Sequence, residues 1–159
     1  MNLTKLNNLQ KTVLVIAGSD PSGGAGIQAD LKTLTSFGVY GMTAITALTE
    51  QNTNGVFDIL EIPIDFVVKQ INCCLSDINA NAVKIGMLHS ADLISAVLEA
   101  LFNNNIVSNK NVNIVLDPVM VAKGGHKLLK ENAIDALKNF IKVAQPILTP
   151  NIPEAEILT

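Results

Sequence analysis

Residues 13–30 run VLVIAGSDPSGGAGIQAD, an apolar stretch followed by a glycine-rich turn and then by a carboxylate. The β-branched run 13–16 predicts a strand, and apolar residues at Ile27, Leu31 and Leu34 predict a helix. Glycine lets the backbone of the intervening turn approach a ligand closely, and a helix N-terminus presents free N–H groups. This segment therefore predicts a ligand site where the strand ends.

The composition predicts a globular chain of about one domain, because 48% of the 159 residues are hydrophobic. The net charge of −3 disfavours a nucleic-acid partner. All basic residues are lysines, so a phosphate site must use Lys, backbone N–H groups or a metal. Cys73 and Cys74 are adjacent, which is poor geometry for a disulfide. We expect a cytoplasmic chain without a membrane partner, in which residues 1–11 are a flexible extension.

Strand and helix patterns alternate along residues 12–159. Strands are predicted at 12–17, 43–48, 55–62, 82–88, 112–116 and 146–149, and helices at 27–37, 65–75, 91–102 and 132–143 and after Pro153. This alternation is typical of an α/β fold with a mainly parallel sheet covered by helices. The adjacent strands at 43–48 and 55–62 allow a small antiparallel excursion.

Polar residues follow the predicted strands at their carboxyl ends, where open α/β sheets bind ligands. These residues are 18–26, 50–52, 86–87, 117–118 and the pair Asn151 and Glu154. In a parallel sheet we expect them to converge on one rim.

Two residues of this rim suggest contacts to a small ligand. Asp30 lies three residues after Ile27, near the apolar stripe, where a buried carboxylate would need a partner. The alternative is a surface aspartate stabilised by the helix dipole. The carboxamide of Gln51 offers a donor and an acceptor side by side, matching an aminopyrimidine edge. An ordinary loop glutamine is the alternative.

Three others suit a site for phosphate and metal. Asp117 follows an apolar strand and suits Mg²⁺ held through water beside phosphate oxygens, although a turn aspartate is the alternative. Asn151 and Glu154 are three residues apart at a helix start and therefore face the same side. They suit an outer-sphere Mg²⁺ site or a capping box, and one geometry can serve both.

The cationic run 123–127 follows the segment of Asp117. It predicts either a lid that closes on phosphate or a plain exposed loop. His89 and His126 have no second ligand at metal-binding spacing, so we expect both at the surface.

Taken together, these segments resemble the hydroxymethylpyrimidine/phosphomethylpyrimidine kinases of thiamin biosynthesis, which belong to the ribokinase-like superfamily. The matching pieces occur in order and are 17–32, 46–53, 84–88, 115–120 and 149–154. The resemblance implies a mainly parallel sheet with helices on both faces. It also implies ATP-dependent phosphorylation of 4-amino-5-hydroxymethyl-2-methylpyrimidine and then of its monophosphate, with ATP and Mg²⁺, by a homodimer.

The resemblance also implies roles for individual residues. Gln51 and Asp30 match polar contacts to the aminopyrimidine and its hydroxymethyl group. The walls of the pyrimidine pocket match Gly18, Ala25, Met87 and Val119. Positions near the ATP phosphates match Asp117, Asn151, Glu154 and Lys123, where Asp117 and Glu154 would hold Mg²⁺ through water and Lys123 belongs to a mobile flap.

One motif of that family has no counterpart here. Family members are longer, and their second half carries a Gly-Thr-Gly-Cys or Gly-Thr-Gly-Asp turn that supplies the anion hole and activates the substrate hydroxyl. We therefore expect the amino-terminal part of a kinase, with no catalytic residue in this chain and no turnover by it alone. The alternatives are a pyridoxal kinase-like enzyme and a non-catalytic pyrimidine-binding fragment.

Overall fold

A computed structural model describes residues 10–120 and 133–159. Its strands are β1 (Thr12–Ser19), β2 (Tyr40–Asn52), β3 (Gly55–Glu61), β4 (Ala82–Ile85), β5 (Asn113–Leu116) and β6 (Ile147–Leu148). Its helices are α1 (Gly26–Ser36), α2 (Ile64–Asp77), α3 (Ala91–Asn103), α4 (Ile134–Ala144) and α5 (Ile152–Leu158). The predicted flap at Lys123 and most of the predicted N-terminal extension lie outside the described residues. In the two described ranges, no helix is long and apolar enough to cross a membrane.

The strands form one sheet in the order β3-β2-β1-β4-β5-β6. All neighbouring strands are parallel except β3, which runs antiparallel to β2. This confirms the mainly parallel sheet and places the antiparallel excursion at its edge. Because the parallel strands end at one rim, the residues that follow them are brought together there.

Helices cover both faces of the sheet, as the resemblance implied. Side chains alternate along a strand, so β1 contributes Leu14 and Ile16 to one apolar cluster and Val15 and Ala17 to another. The larger cluster lies under α2, α3 and α4, and the smaller lies under α1. Of the described helices, α1 is the one that covers the second face beside the rim of the sheet.

The structure corrects two expectations near the rim. β2 extends to Asn52, so Gln51 lies within a strand rather than after it, and the pairing shifts by a bulge between Glu50 and Gln51. The extension forms because β3 folds back and pairs with it. His89 is buried, with only 4% exposed, and its Nδ1 lies 3.4 Å from Oε1 of Glu61. The surface position expected for His89 was wrong because the loop after β4 packs against the end of β3.

The carboxylate of Asp20 organises the turn between β1 and α1. One oxygen accepts hydrogen bonds from the backbone N–H and hydroxyl of Ser22, both at 2.8 Å. The other accepts from the N–H groups of Gly24 at 3.0 Å and Ala25 at 2.8 Å. Asp20 is 3% exposed, and these bonds supply the partners that a buried charge requires. Burial by itself raises the pKa of this carboxyl, but the hydrogen bonds outweigh that effect and hold the pKa below its usual range.

Gly26, the first residue of α1, is required by both its conformation and its surroundings. Its φ is +56°, in the left-handed region that glycine adopts readily. A Cβ at this position would lie 2.3 Å from the carbonyl oxygen of Gly18. The start of the helix therefore packs directly on the backbone that leaves β1.

We expect Gly26→Ala to destabilise the chain far more than Gly38→Ala. Gly38 closes α1 at φ +68°, and no heavy atom lies within 4 Å of the place that a methyl group would take, so alanine there costs only about 1 kcal/mol of backbone strain. Gly26→Ala adds a backbone clash and should cost about 3 kcal/mol or more. Urea unfolding followed by circular dichroism measures both, and equal losses would contradict the close approach of α1 to Gly18.

We expect Asp20→Asn to cost about 2 kcal/mol at neutral pH, because a buried acceptor of four hydrogen bonds loses its charge. Since the folded pKa is lowered, ionised Asp20 stabilises the fold above the unfolded pKa, and this contribution is lost as the pH falls through the folded pKa. The difference in free energy of unfolding between the unsubstituted chain and Asp20→Asn should therefore shrink in acid. Denaturant titrations over pH measure it, with exposed Asp77→Asn as control. If Asp20→Asn lowers the free energy of unfolding by the same amount at every pH, the ionised carboxylate does not stabilise the turn as proposed.

Candidate functional site

A cavity of about 370 Å³ opens at the carboxyl ends of the central strands, beside the start of α1. Every residue that the sequence predicted to contact or wall a substrate lines it, together with Asp117. These residues are Gly18, Ala25, Asp30, Gln51, Met87, Asp117 and Val119. Their convergence follows from the parallel sheet, because they come from the segments after β1, β4 and β5, from α1 and from the end of β2.

One wall of the cavity is apolar and tightly packed. Met87 is buried and clusters with Ala47, Val119 and Ile59. A Cβ on Gly18 would lie 2.7 Å from the terminal methyl of Met87, so the thioether packs on bare glycine backbone. A thioether adapts well to a flat ring, and this wall therefore suits an aromatic ligand.

Gln51 is tied to the turn after β1 through Thr49. The Thr49 hydroxyl lies 2.9 Å from the carbonyl oxygen of Ser19 and 3.1 Å from Oε1 of Gln51. Because Thr49 also lines the cavity, the carboxamide of Gln51 is oriented from within the site. Thr49 and Gln51 are two residues apart on β2, so strand alternation places both side chains on the face that lines the cavity.

Asp30 forms an ion pair across the cavity wall with Lys84 of β4. Lys84 Nζ lies 2.9 Å from Oδ2 of Asp30, and the two side chains are 26% and 22% exposed. Lys84 stands on the α1 side of the sheet because its neighbours Val83 and Ile85 pack in the larger cluster on the opposite face. Asp30 is therefore a half-buried, paired carboxylate and not the solvated residue of the alternative interpretation.

The environment of Asp117 disfavours its negative charge. Burial raises the pKa of its carboxyl above the usual range, the positive charge of Lys84 opposes this, and the carboxylates of Glu154 and Asp30 add to it. A cation bound near Asp117 would reverse this balance. The side chain is thus a suitable ligand for a positive partner rather than an acceptor saturated by the protein.

The capping box, which the sequence allowed beside an outer-sphere Mg²⁺ site, is present at the start of α5. The Glu154 N–H donates to Oδ1 of Asn151 at 2.9 Å, and the Asn151 N–H donates to Oε2 of Glu154 at 3.0 Å. Glu154 is 6% exposed, and neither residue is among the described residues that line the cavity. Within the described parts of the chain, no three His, Cys, Asp or Glu side chains cluster closely enough to hold a metal.

Three residues of this site were missed from the sequence. Asp20 had a readable signal, since an aspartate two residues before a serine in a Pro-Gly-rich segment is typical of a turn acceptor. Lys84 had one as well, because it is the only charged residue in the short apolar strand β4. Thr49 carried no signal, since its role depends on a contact 30 residues away in the chain.

The comparisons with known proteins agree on one family. The family model of phosphomethylpyrimidine kinase matches residues 20–159. The hydroxymethylpyrimidine/phosphomethylpyrimidine kinase of Haemophilus influenzae is 49% identical over 149 residues, which are 94% of this chain and 54% of that protein. The Escherichia coli kinase of the same name is 47% identical over 145 residues, covering 91% of this chain and 53% of that protein.

Solved structures share the fold. The crystal structure of phosphomethylpyrimidine kinase from Clostridium difficile matches with a TM-score of 0.83 and 47% identity, over 94% of this chain and 63% of that one. The pyridoxal kinase of Staphylococcus aureus in complex with AMP-PCP and pyridoxal matches with a TM-score of 0.76 and 34% identity. The match covers 94% of this chain and 51% of that one.

The chain spans about half the length of the curated relatives that it matches. The family model covers residues 20–159 of this chain. The fold is the ribokinase-like α/β sheet of the solved kinases. The chain belongs to the phosphomethylpyrimidine kinase family.

Proposed function

We propose that the cavity binds 4-amino-5-hydroxymethyl-2-methylpyrimidine as a phosphoryl acceptor, for ATP-dependent phosphorylation of this alcohol and then of its monophosphate in thiamin biosynthesis. The observation that carries the proposal is the convergence of Gln51, Asp30 and Met87 on one cavity at the rim of the sheet. Relatives named hydroxymethylpyrimidine/phosphomethylpyrimidine kinase support both acceptors.

The cavity matches the chemistry of this acceptor group by group. Its volume of about 370 Å³ lies in the range of small-ligand sites. The carboxamide of Gln51 pairs with the aminopyrimidine edge, and the ring lies against Met87, Val119, Gly18 and Ala25. Asp30 accepts a hydrogen bond from the hydroxymethyl group. These contacts fix the ring and orient the reacting oxygen, which is the main task of a protein in phosphoryl transfer.

Asp117 faces the nucleotide side in this proposal. Mg²⁺ in kinases keeps several waters and is held by one or two carboxylates together with the phosphates, and it neutralises the charge that develops during transfer. Asp117, together with Glu154 acting through a water molecule, would supply the one or two carboxylates that such a site needs. Asn151 holds Glu154 in place through the capping box. The resemblance assigns Lys123, which lies outside the described residues, to the phosphates. The structure of the related pyridoxal kinase in complex with AMP-PCP supports the use of a nucleotide by this fold.

The chain by itself is proposed to bind the acceptor without turning it over. Transfer forms a bond between the acceptor oxygen and the γ-phosphorus and breaks the bond from that phosphorus to the β,γ-bridging oxygen, while the hydroxyl proton leaves. The resemblance places the group that takes this proton in a motif that these 159 residues do not match. The described cavity residues therefore bind and orient, and they do not activate the hydroxyl.

A second candidate acceptor is pyridoxal, which is also an alcohol on a heteroaromatic ring. The structural likeness to Staphylococcus aureus pyridoxal kinase favours it. Parallel titrations with pyridoxal and with the pyrimidine alcohol compare the two ligands, and we expect the cavity to bind its own acceptor more tightly.

We expect Gln51→Ala to weaken binding of the pyrimidine alcohol about tenfold or more, because the aminopyrimidine edge loses two hydrogen bonds. Glu50→Ala is the matched control, since Glu50 is the preceding residue of β2 and is exposed outside this cavity. Calorimetric titration of the 159-residue chain measures both affinities. No binding by the unsubstituted chain would sink the proposed function, and robust ATP-dependent turnover would contradict the role of binding alone.

We expect Asp117→Asn to raise the free energy of unfolding at neutral pH while it weakens Mg²⁺-dependent ATP binding. Because the folded pKa of Asp117 is raised, its ionised form destabilises the fold above that pKa, and the penalty disappears below the unfolded value. The gain in stability should therefore vanish in acid. Denaturant titration against pH and nucleotide titration with and without Mg²⁺ measure the two effects. Lower stability at neutral pH would contradict the raised pKa of Asp117, and unchanged nucleotide binding would be evidence against its metal role.

A further inference from the structure

The two acceptors of the proposed reaction differ sharply in charge, although they enter the same cavity. The alcohol is neutral, whereas a phosphate monoester carries between one and two negative charges at neutral pH. A cavity lined by Asp20, Asp30 and Asp117 would repel the second acceptor unless a cation offsets these carboxylates. Binding of the monophosphate therefore requires a positive group within reach of the cavity.

Lys84 is the one cationic side chain among the described residues that line the cavity. The chain contains no arginine, so a bidentate guanidinium is not available anywhere in its sequence. Asp20 is already saturated by the hydrogen bonds of its own turn. Among the described residues that line the cavity, the charge balance thus depends on Lys84 with Asp30 and Asp117.

The ammonium of Lys84 extends to the rim. A Cβ on Gly86, which lies beyond the end of β4, would be 3.2 Å from Nζ of Lys84 and 3.1 Å from Cβ of Ala17. The absence of a side chain at Gly86 therefore leaves the space that the ammonium occupies. The positive charge of Lys84 also acts on Asp117, which lies after the neighbouring strand.

The ion pair with Asp30 remains within reach of a ligand. Both side chains are about a quarter exposed, and both line the cavity. A lysine ammonium has three donors and rotates freely, so Lys84 can keep Asp30 and also bind an incoming phosphate oxygen. Asp30 has only acceptors when ionised and can bind the hydroxyl of the alcohol but not a phosphate dianion.

We propose that Lys84 is the residue that lets this cavity accept the monophosphate: it binds the phosphate of the second acceptor, while Asp30 binds the hydroxyl of the first. This inference rests on the proposed function and adds the determinant that distinguishes the two acceptors. The Asp30–Lys84 ion pair then has two roles. Its carboxylate binds the neutral alcohol, and its ammonium binds the anionic monophosphate.

The test measures the affinity of the 159-residue chain for 4-amino-5-hydroxymethyl-2-methylpyrimidine and for its monophosphate by calorimetry. We expect Lys84→Met to weaken monophosphate binding about tenfold to a hundredfold more than alcohol binding, and Lys84→Arg to restore much of that loss. Lys69→Met is the matched control, because Lys69 pairs with Asp65 at the same 2.9 Å on the exposed face of α2, away from the cavity. This control should leave the ratio of the two affinities unchanged.

Asp30→Asn gives an independent readout if Lys84→Met fails to fold. Removing the competing carboxylate should raise the affinity for the monophosphate relative to the alcohol, and a fall in that ratio would overturn the proposal. Equal weakening of both ligands by Lys84→Met would also overturn it, since a purely structural lysine predicts that result. If the unsubstituted chain binds neither ligand, the proposed function itself fails. If it binds the alcohol but Lys84→Met leaves monophosphate binding intact, only the role of Lys84 fails.

Discussion

The buried carboxylate of Asp20 holds the turn on which the site depends. Its bonds to Ser22, Gly24 and Ala25 fold the backbone between the central strand and α1 into one geometry. Without that geometry, Gly26 could not start a helix directly on the backbone of Gly18. The turn therefore forms one wall of the cavity. Because the Asp20 carboxylate is fully hydrogen-bonded within the turn, other residues must contact the ligand.

The placement of α1 explains the electrostatics of the cavity. Of the described helices, α1 is the one that packs on the smaller cluster, and β4 carries a charged residue, Lys84, on the same face. Lys84 takes that position and meets Asp30 of α1, and Asp117 lies close enough to be affected by both charges. Because these groups are only partly exposed, solvent screens them less than surface charges, and the charge of a ligand matters more.

Much of the fold could be predicted because its signals are local. The continuous apolar run of β1 and the helical spacing of Ile27, Leu31 and Leu34 are each contained in a short stretch of chain. The rim followed from one topological rule, since parallel strands end together. The failures have a common cause. β2 was predicted too short, and His89 was placed at the surface, because a folded-back β3 extends the first and buries the second.

The sequence by itself determined the order of strands and helices along the chain, the glycine turn and the resemblance to a kinase family, and it narrowed Asn151 and Glu154 to a capping box or an outer-sphere Mg²⁺ site. Each of these is encoded in residues that lie close together in the chain or in an ordered set of short motifs. Only the tertiary structure decided which groups meet. Lys84 pairs with Asp30 across 54 residues, and Thr49 reaches Ser19 across 30. Periodicity carries no information about such pairs, because the register and packing of the whole sheet bring them together.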